Sequence, residues 1–322
     1  MKKNKISIIT VTKNSEKYLE KNIYMKIAIC VCFSEKNISH HKKILRDINQ
    51  IIIPKGYHLK FYAVLNQNVL YLNNLITRII DKKEIDIKVL TTFKKNIPSA
   101  RNVFMDHLKK QKINLAGFLD DDCMVDRRWI LKMTQFISNN NCDIAGGPQL
   151  HEVTNNKFKI YYKFLEPQHP NKKEVNWVAT NNCFFKKSII DSINIRFDEN
   201  LKNIGGSDQL FFRKLKKKGF TIKWNVDAKV KEYKQKDREN LSWFLKRNFR
   251  YGFSGLIIDK KIYGKIAGYL INIIKIFYLS FIGFLNFFFI FKNYHFINST
   301  FYFSKALGRL SAMFKFKLLK YY

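Results

Sequence analysis

The sequence predicts an α/β fold with a mostly parallel central sheet flanked by helices, followed by C-terminal helices that associate with a membrane. Three observations carry that reading. Short β-rich runs alternate with helical patterns from Met25 to about Trp224, the signature of layered βαβ architecture. One run, Leu115 to Leu119, stops in three consecutive carboxylates, Asp120, Asp121 and Asp122, at the kind of strand edge where open α/β sheets place ligands. From Ala267 to Phe291 the chain is almost wholly apolar, interrupted by Asn272, Lys275, Ser280 and Asn286. At about 1.5 Å per residue such a helix is long enough for a bilayer core of ~30 Å.

In chain order, Ile6 to Thr12 is a β-rich run followed by a helix start at Asn14 or Ser15, and the same pattern begins again at Met25. Residues 1–24 therefore read as the leftover first strand of a neighbouring related gene, or as an upstream misreading of the start. Their basic opening and six apolar residues are too short for a secretory signal. A strand is expected at Ile27–Phe33, then a polar turn at Ser34 and a helical stretch to about Ile53. A strand at Leu59–Leu65, a helix at Val69–Ile80 and a strand at Ile85–Leu90 follow. Pro98 and Ser99 mark a helix start running to about Lys110. Beyond the carboxylates, Trp129, Met133, Phe136 and Ile137 form the apolar stripe of a core helix. Cys142–Ala145 resumes a strand, which Gly146-Gly147-Pro148 breaks.

Gly205-Gly206-Ser207-Asp208 stands directly ahead of a helix, Gln209–Lys218, that Gly219 terminates. Phe220, Ile222 and Trp224 alternate as a strand, and Leu241–Gly252 is a basic, aromatic helix. At the end, Phe303, Leu307, Leu310, Met313 and Phe314 recur at helical spacing with Lys305, Arg309, Lys315, Lys317 and Lys320 between them. The stretch Phe301–Lys320 reads as a basic amphipathic helix lying on an anionic membrane face. The expected division is residues 1–24, a catalytic domain at 25–235, a basic helical segment at 236–265 and membrane-associated helices at 266–322.

Composition bounds the function. A chain of 322 residues with 46% hydrophobic content can bury a large core. Its net charge of +34, from 59 basic and 25 acidic side chains, points to anionic partners: nucleic acid, anionic lipid or phosphorylated substrates. An AT-biased genome produces the same richness in Lys, Ile, Asn and Phe. The five cysteines are odd in number and lack paired CxxC spacing, which favours a reduced, cytosolic compartment.

The motifs fall in a telling order: ProSerAlaArgAsn at 98–102, PheLeuAspAspAsp at 118–122, Trp129, GlyGlyPro at 146–148, ThrAsnAsn at 180–182, GlyGlySerAsp at 205–208, ArgAsnPheArgTyrGly at 247–252 and LeuGlyArgLeu at 307–310. In this series the chain resembles the family 2 inverting glycosyltransferases of GT-A (Rossmann-like) fold, and within them the exopolysaccharide, succinoglycan-type glucosyltransferases. The resemblance covers roughly Met25 to Phe314. It implies a hexosyltransferase that uses a nucleotide-diphosphate sugar and a divalent metal, Mg²⁺ or Mn²⁺.

Residue by residue, Asp120 and Asp122 match the family's DxD element, which implies that they hold the cation bridging the donor diphosphate. A hard cation with oxygen ligands and few protein carboxylates suits that chemistry. Asp121 is expected to point away and cap or solvate the turn. Asp208 matches the general base, although read alone it is an N-cap carboxylate. Arg101 falls in the family's ARN segment, where it approaches the diphosphate or forms a helix-surface salt bridge. Asn182 resembles a residue lining the acceptor side, with a turn asparagine as the plainer reading. Arg247 and Arg250 lie on one helical face and would grip the donor diphosphate or a lipid-linked diphosphate, or simply attract the membrane surface.

Two departures matter. Relatives carry acids at the positions of Ser207 and Leu210, leaving Asp208 as the one carboxylate able to serve, and they carry an Asp where this chain has Asn66, whose amide can still meet a base edge. The resemblance implies a membrane-associated enzyme on the cytoplasmic face of the inner membrane, acting on a lipid-linked or glycan acceptor. The competing readings are a membrane-bound relative without catalysis that serves as a scaffold, and a basic nucleic-acid-binding protein. The latter explains neither the carboxylates nor the apolar tail, so no nucleic-acid partner is expected.

Overall fold

The computed structural model of the chain describes residues 25–65, 69–92, 94, 96–154, 156–233 and 236–314. The expected duplicate strand at residues 1–24, Asn66, and the last basic residues beyond Phe314 lie outside that set.

The main sheet grows from β1 (Met25–Phe33), whose residues are almost all apolar because it is covered on both faces. Ile27, Ile29 and Val31 feed one core and Ala28 and Cys30 the other, as the two-residue alternation of a strand requires. The chain moves outward through α1 (Ile38–Gln50), β2 (Tyr57–Leu65), α2 (Val69–Ile79) and β3 (Ile85–Thr91), pairing each new strand in parallel with the last. Helix α3 (Ile97–Lys109), capped by the Asn96 side chain on Ser99 N, then returns the chain to the opposite side of β1. There β4 (Leu115–Asp120) pairs in parallel, with Asp120 opposite Cys32. The direction of strand addition reverses between β1 and β4, which makes the crevice at their C-terminal ends a topological switch point.

Beyond β4 the sheet is extended by β8 (Asn182–Lys186), β6 (Ile144–Gly146) and β9 (Ile222–Trp224), giving the order β3-β2-β1-β4-β8-β6-β9. Of these seven strands β8 alone runs against its neighbours. Helix α4 (Trp129–Asn139) buries Trp129, Met133, Phe136 and Ile137 as the spacing predicts. A second, three-stranded sheet of β5 (Cys123–Val125), β10 (Val230–Glu232) and β7 (Gln149–His151) folds over the end of β4. Its three-residue strands carry too little alternation to be seen in the sequence. Two short helices, α5 (Asn156–Lys163) and α6 (Ser188–Ser192), complete the α/β body together with α7 (Ser207–Lys217).

The C-terminal region is a trio of long helices: α8 (Leu241–Tyr263), α9 (Lys265–Phe287) and α10 (Asn293–Met313). Helix α8 runs well past the predicted end at Gly252, and α10 starts before the predicted Phe301. Backbone contact joins α8 to α10, since a Cβ on Gly252 would stand 2.0 Å from the Lys305 carbonyl oxygen and one on Gly308 2.0 Å from that of Phe249. Helix α9 is the apolar stretch foreseen, and only 11% of its most apolar window is buried. It is no core helix.

Candidate active site

Asp120 is placed at the end of β4 by six residues of strand whose apolar side chains are buried on both sheet faces. Its carboxylate accepts a hydrogen bond from Arg101 Nη2 at 3.2 Å, with the arginine buried and the Asp120 side chain 38% open. Arg101 also lies within the field of Asp208. The two motifs, more than a hundred residues apart in sequence, therefore share one electrostatic site. Burial and then the nearby Asp121, Glu232 and Asp208, partly offset by Arg101, push the Asp120 pKa up to about 6.

Asp122 sits deeper. Burial first, then Glu232, Asp120 and Asp121, raise its pKa to about 8. Among the described residues no group of three or more His, Cys, Asp or Glu side chains comes together as a complete cation site. Asp120 and Asp122 are crowded, hard carboxylates, and Asp120 helps raise the Asp122 pKa, a repulsion that a cation would relieve. That fits Mg²⁺ or Mn²⁺ when substrate phosphates supply the remaining oxygens.

Asp121 does point away, as expected, but it is buried rather than solvated. It accepts from Ser34 N at 2.6 Å and Asn37 Nδ2 at 2.7 Å, with His41 Nε2 3.4 Å away. The carboxylate so pins the turn between β1 and α1 against the end of β4.

Asp208 lies in the first turn of α7, half-buried, with Oδ1 accepting from Gln209 N at 2.8 Å. The preceding glycines have φ of +85° and +80°, a backbone that residues with a Cβ adopt only under strain. Arg250 lies against this turn, its Nε 3.6 Å from where a Gly205 Cβ would be. Arg247 faces elsewhere. Its Nε donates to Tyr251 Oη at 2.8 Å, its guanidinium lies 5.7 Å from the Trp243 ring, and its charge helps hold the Glu232 pKa down. Arg250 thus borders the Gly205 turn, and Arg247 lies by Tyr251, Trp243 and Glu232.

Asn182 is buried, accepts from Trp129 Nε1 at 2.8 Å, and donates to the carbonyls of Pro148 at 3.0 Å and Ala228 at 2.6 Å. Its amide ties α4 and the loops around the small sheet together, which favours the plainer, structural reading of this asparagine. Asn66 lies outside the described residues.

Sequence reasoning missed a polar cluster beside Asp122. Glu232 on β10 is buried and bonded by Gln149 Nε2, Arg238 Nη1 and, at 3.2 Å, His151 Nε2, whose Nδ1 meets Glu166 at 3.1 Å. Burial disfavours imidazolium at His151, but the two flanking carboxylates outweigh it and raise its pKa. The only signal was a lone acid among lysines at Lys229-Val230-Lys231-Glu232.

No protein-family model matches this sequence, and no curated protein matches it. Solved structures share its fold. The 1–349 fragment of S. aureus TarS superposes with a TM-score of 0.51 at 15% identity, over 73% of this chain and 64% of that one; S. aureus TarS is also known in complex with UDP-GlcNAc. The mannosyltransferase PcManGT from Pyrobaculum calidifontis, in complex with GDP-Man and Mn²⁺, gives a TM-score of 0.54 at 12% identity, over 92% of this chain and 78% of that one. The chain spans less than two thirds of the TarS fragment. Its fold is GT-A-like.

Proposed function

We propose that this protein is an inverting, family 2-type glycosyltransferase, moving a hexosyl group from a nucleotide-diphosphate sugar to a hydroxyl of a lipid-linked or other glycan acceptor at a membrane surface. The observation that carries the reading is the meeting of Asp120, Arg101 and Asp208 at the switch point of the sheet. The fold shared with PcManGT, bound there to GDP-Man and Mn²⁺, supports the donor class.

Asp120 and Asp122 would hold a divalent cation, which supplies neutralisation of the charge developing on the departing diphosphate. Arg101, buried on Asp120, sets that carboxylate's position and adds positive charge beside the phosphates. Asp208 takes the proton from the acceptor hydroxyl as its oxygen bonds to the anomeric carbon, and the glycosidic C–O bond to the diphosphate breaks on the opposite face. Its present hydrogen bond from Gln209 N keeps the carboxylate oriented before substrate arrives.

Arg250, beside the Gly205 turn, would meet an anionic group of the donor or of a lipid-linked diphosphate acceptor. The open apolar surface of α9 supports membrane association and hence a lipid-linked diphosphate acceptor. A panel of sugar nucleotides with Mg²⁺ or Mn²⁺, assayed on membranes, tests the reading. Asp208→Asn is expected to abolish transfer and spare donor binding, while Asp122→Ala weakens metal-dependent donor binding. Unchanged turnover in both variants overturns the assignment.

A further inference from the structure

Two cations of α10 that the sequence assigns to a membrane face are turned into the protein. Arg309 Nη1 lies 3.2 Å from Asp259 and also bonds Asn272, and Lys305 Nζ rests 3.7 Å over the Phe301 ring. What remains outward on α10 and its C-cap is largely apolar: Phe296, Leu307, Leu310 and the capping Phe314. The described α10 therefore brings little positive charge to an anionic surface.

A different basic surface adjoins the first turn of α9. Arg196, Lys214, Lys217, Lys218 and Lys261 line a groove of about 650 Å³ floored by isoleucines. Two carboxylates temper it, Asp106 on Arg196 and Asp198 on Lys261 at 2.9 Å. Lys217 is held by the Ile262 carbonyl at 2.6 Å, so its position is fixed while its charge stays outward. Lys214 and Lys218 form no ion pair among the described residues, although Asp198 feels the charge of Lys214. Five cations against two anions leave a local excess of three. Ile262 belongs to the same wall, and only Tyr263 and Gly264 separate it from Lys265, where the exposed apolar helix begins with Ile266 and Leu270 open.

We propose that this groove receives the phosphate headgroups of an anionic bilayer and seats the catalytic body beside α9. The inference rests on the membrane-association reading and adds a specific contact to it. A cationic concavity continuous with a lipid-seeking helix has the order of a membrane interface: apolar side chains below, lysines at headgroup level. The attraction would set the orientation of α7, whose last turn and C-cap residue Lys218 together supply three of the five cations.

Flotation of the full-length protein with phosphatidylcholine vesicles, with and without phosphatidylglycerol, tests it. Lys214→Gln/Lys218→Gln is expected to lower partition onto phosphatidylglycerol vesicles by about 25-fold, taking roughly fivefold per lysine near an anionic surface, and to leave partition onto pure phosphatidylcholine unchanged. Lys55→Gln/Lys83→Gln, at exposed sites outside the groove, controls for net charge and is expected to change either partition by less than about threefold. Equal losses in the two double variants overturn the groove and leave membrane association standing. No partition of the wild type onto either vesicle overturns both.

Discussion

Replacing Asp259 by asparagine removes one negative charge from the point where four helices meet. Its side chain is fully buried on α8 and accepts from Arg213 on α7 at 2.8 Å, Lys275 on α9 at 2.8 Å, Arg309 on α10 at 3.2 Å and Asn272 on α9 at 3.2 Å. Lys275 is 39% exposed, so solvent screens its pairing and neutralising Asp259 strands no buried charge there. Arg213 and Arg309 are the partners that matter, being only 13% and 14% exposed. Neutralising their shared anion leaves both guanidinium groups poorly compensated, a loss of about 3–5 kcal/mol. At roughly 2–4 °C per kcal/mol the midpoint of thermal unfolding should fall by about 6–20 °C. Asp259→Asn/Arg213→Gln should recover part of that loss, because one stranded cation goes with the anion. Burial pushes the Asp259 pKa up, but hydrogen bonds and charge from Lys275 and Arg213 win and hold it below the ordinary value. Its contribution is therefore complete above about pH 4 and is lost as pH falls through its lowered native pKa. Thermal unfolding of the detergent-solubilised protein reads both effects. A midpoint within about 2 °C of wild type for Asp259→Asn, against the ~3 kcal/mol expected, would refute the reasoning.

Other expectations follow from the same contacts. Asn182→Ala strands Trp129 Nε1 and the Pro148 and Ala228 carbonyls, so it should cost on the order of 2–3 kcal/mol in denaturant melts while the KM for donor in the folded fraction stays put; a raised KM at unchanged stability would return Asn182 to the substrate surface. Gly252→Ala drives a methyl group into the Lys305 carbonyl, forcing α10 off α8 at a cost of about 1–3 kcal/mol, and a variant as stable as wild type would contradict the close crossing. On the proposed metal reading, a cation binding at Asp122 must displace the proton that its pKa of about 8 retains at neutral pH. Mn²⁺ affinity should then rise with pH up to about 8 and level off, with proton release visible as a buffer-dependent heat in calorimetry; a flat pH response counts against Asp122 as a ligand.

The parts of this fold legible in the sequence are those with strong period and length. The run from β1 to α4 shows because central parallel strands are continuous apolar stretches and the helices between them carry clear stripes. The small sheet was invisible because three-residue strands such as Val230–Glu232 hold a single alternation. Asp120 and Asp208 fall within motifs and Glu232 does not, because its surroundings arise only when Asp122, His151 and Arg238 fold around it. The same limit explains Asn182: a short polar motif cannot tell whether its amide faces a cleft or three buried partners. Arg309 misled in the opposite sense. A basic residue in an amphipathic pattern reads as surface charge, and only the burial of Asp259, fifty residues earlier, turns it inward.

That inward turn changes what the tail helices are for. Helix α7 carries Asp208 in its first turn and spans eleven residues, about 16 Å. It is fastened to α8 along its whole length: Gly206 against Ile258 at the start, Arg213 on Asp259 in the middle, and Lys217 on the Ile262 carbonyl at the end. Helix α8 is in turn locked to α10 by backbone contact at Gly252 and Gly308. A rigid connection therefore runs from the apolar surface of α9 and α10 through α8 to the proposed base. An anchor joined by a flexible linker would hold the enzyme near a bilayer without orienting it. Here the helices that meet lipid on the proposed reading are packed against the one that carries Asp208, so the attitude of the protein on the surface and the aim of the carboxylate are set by the same contacts.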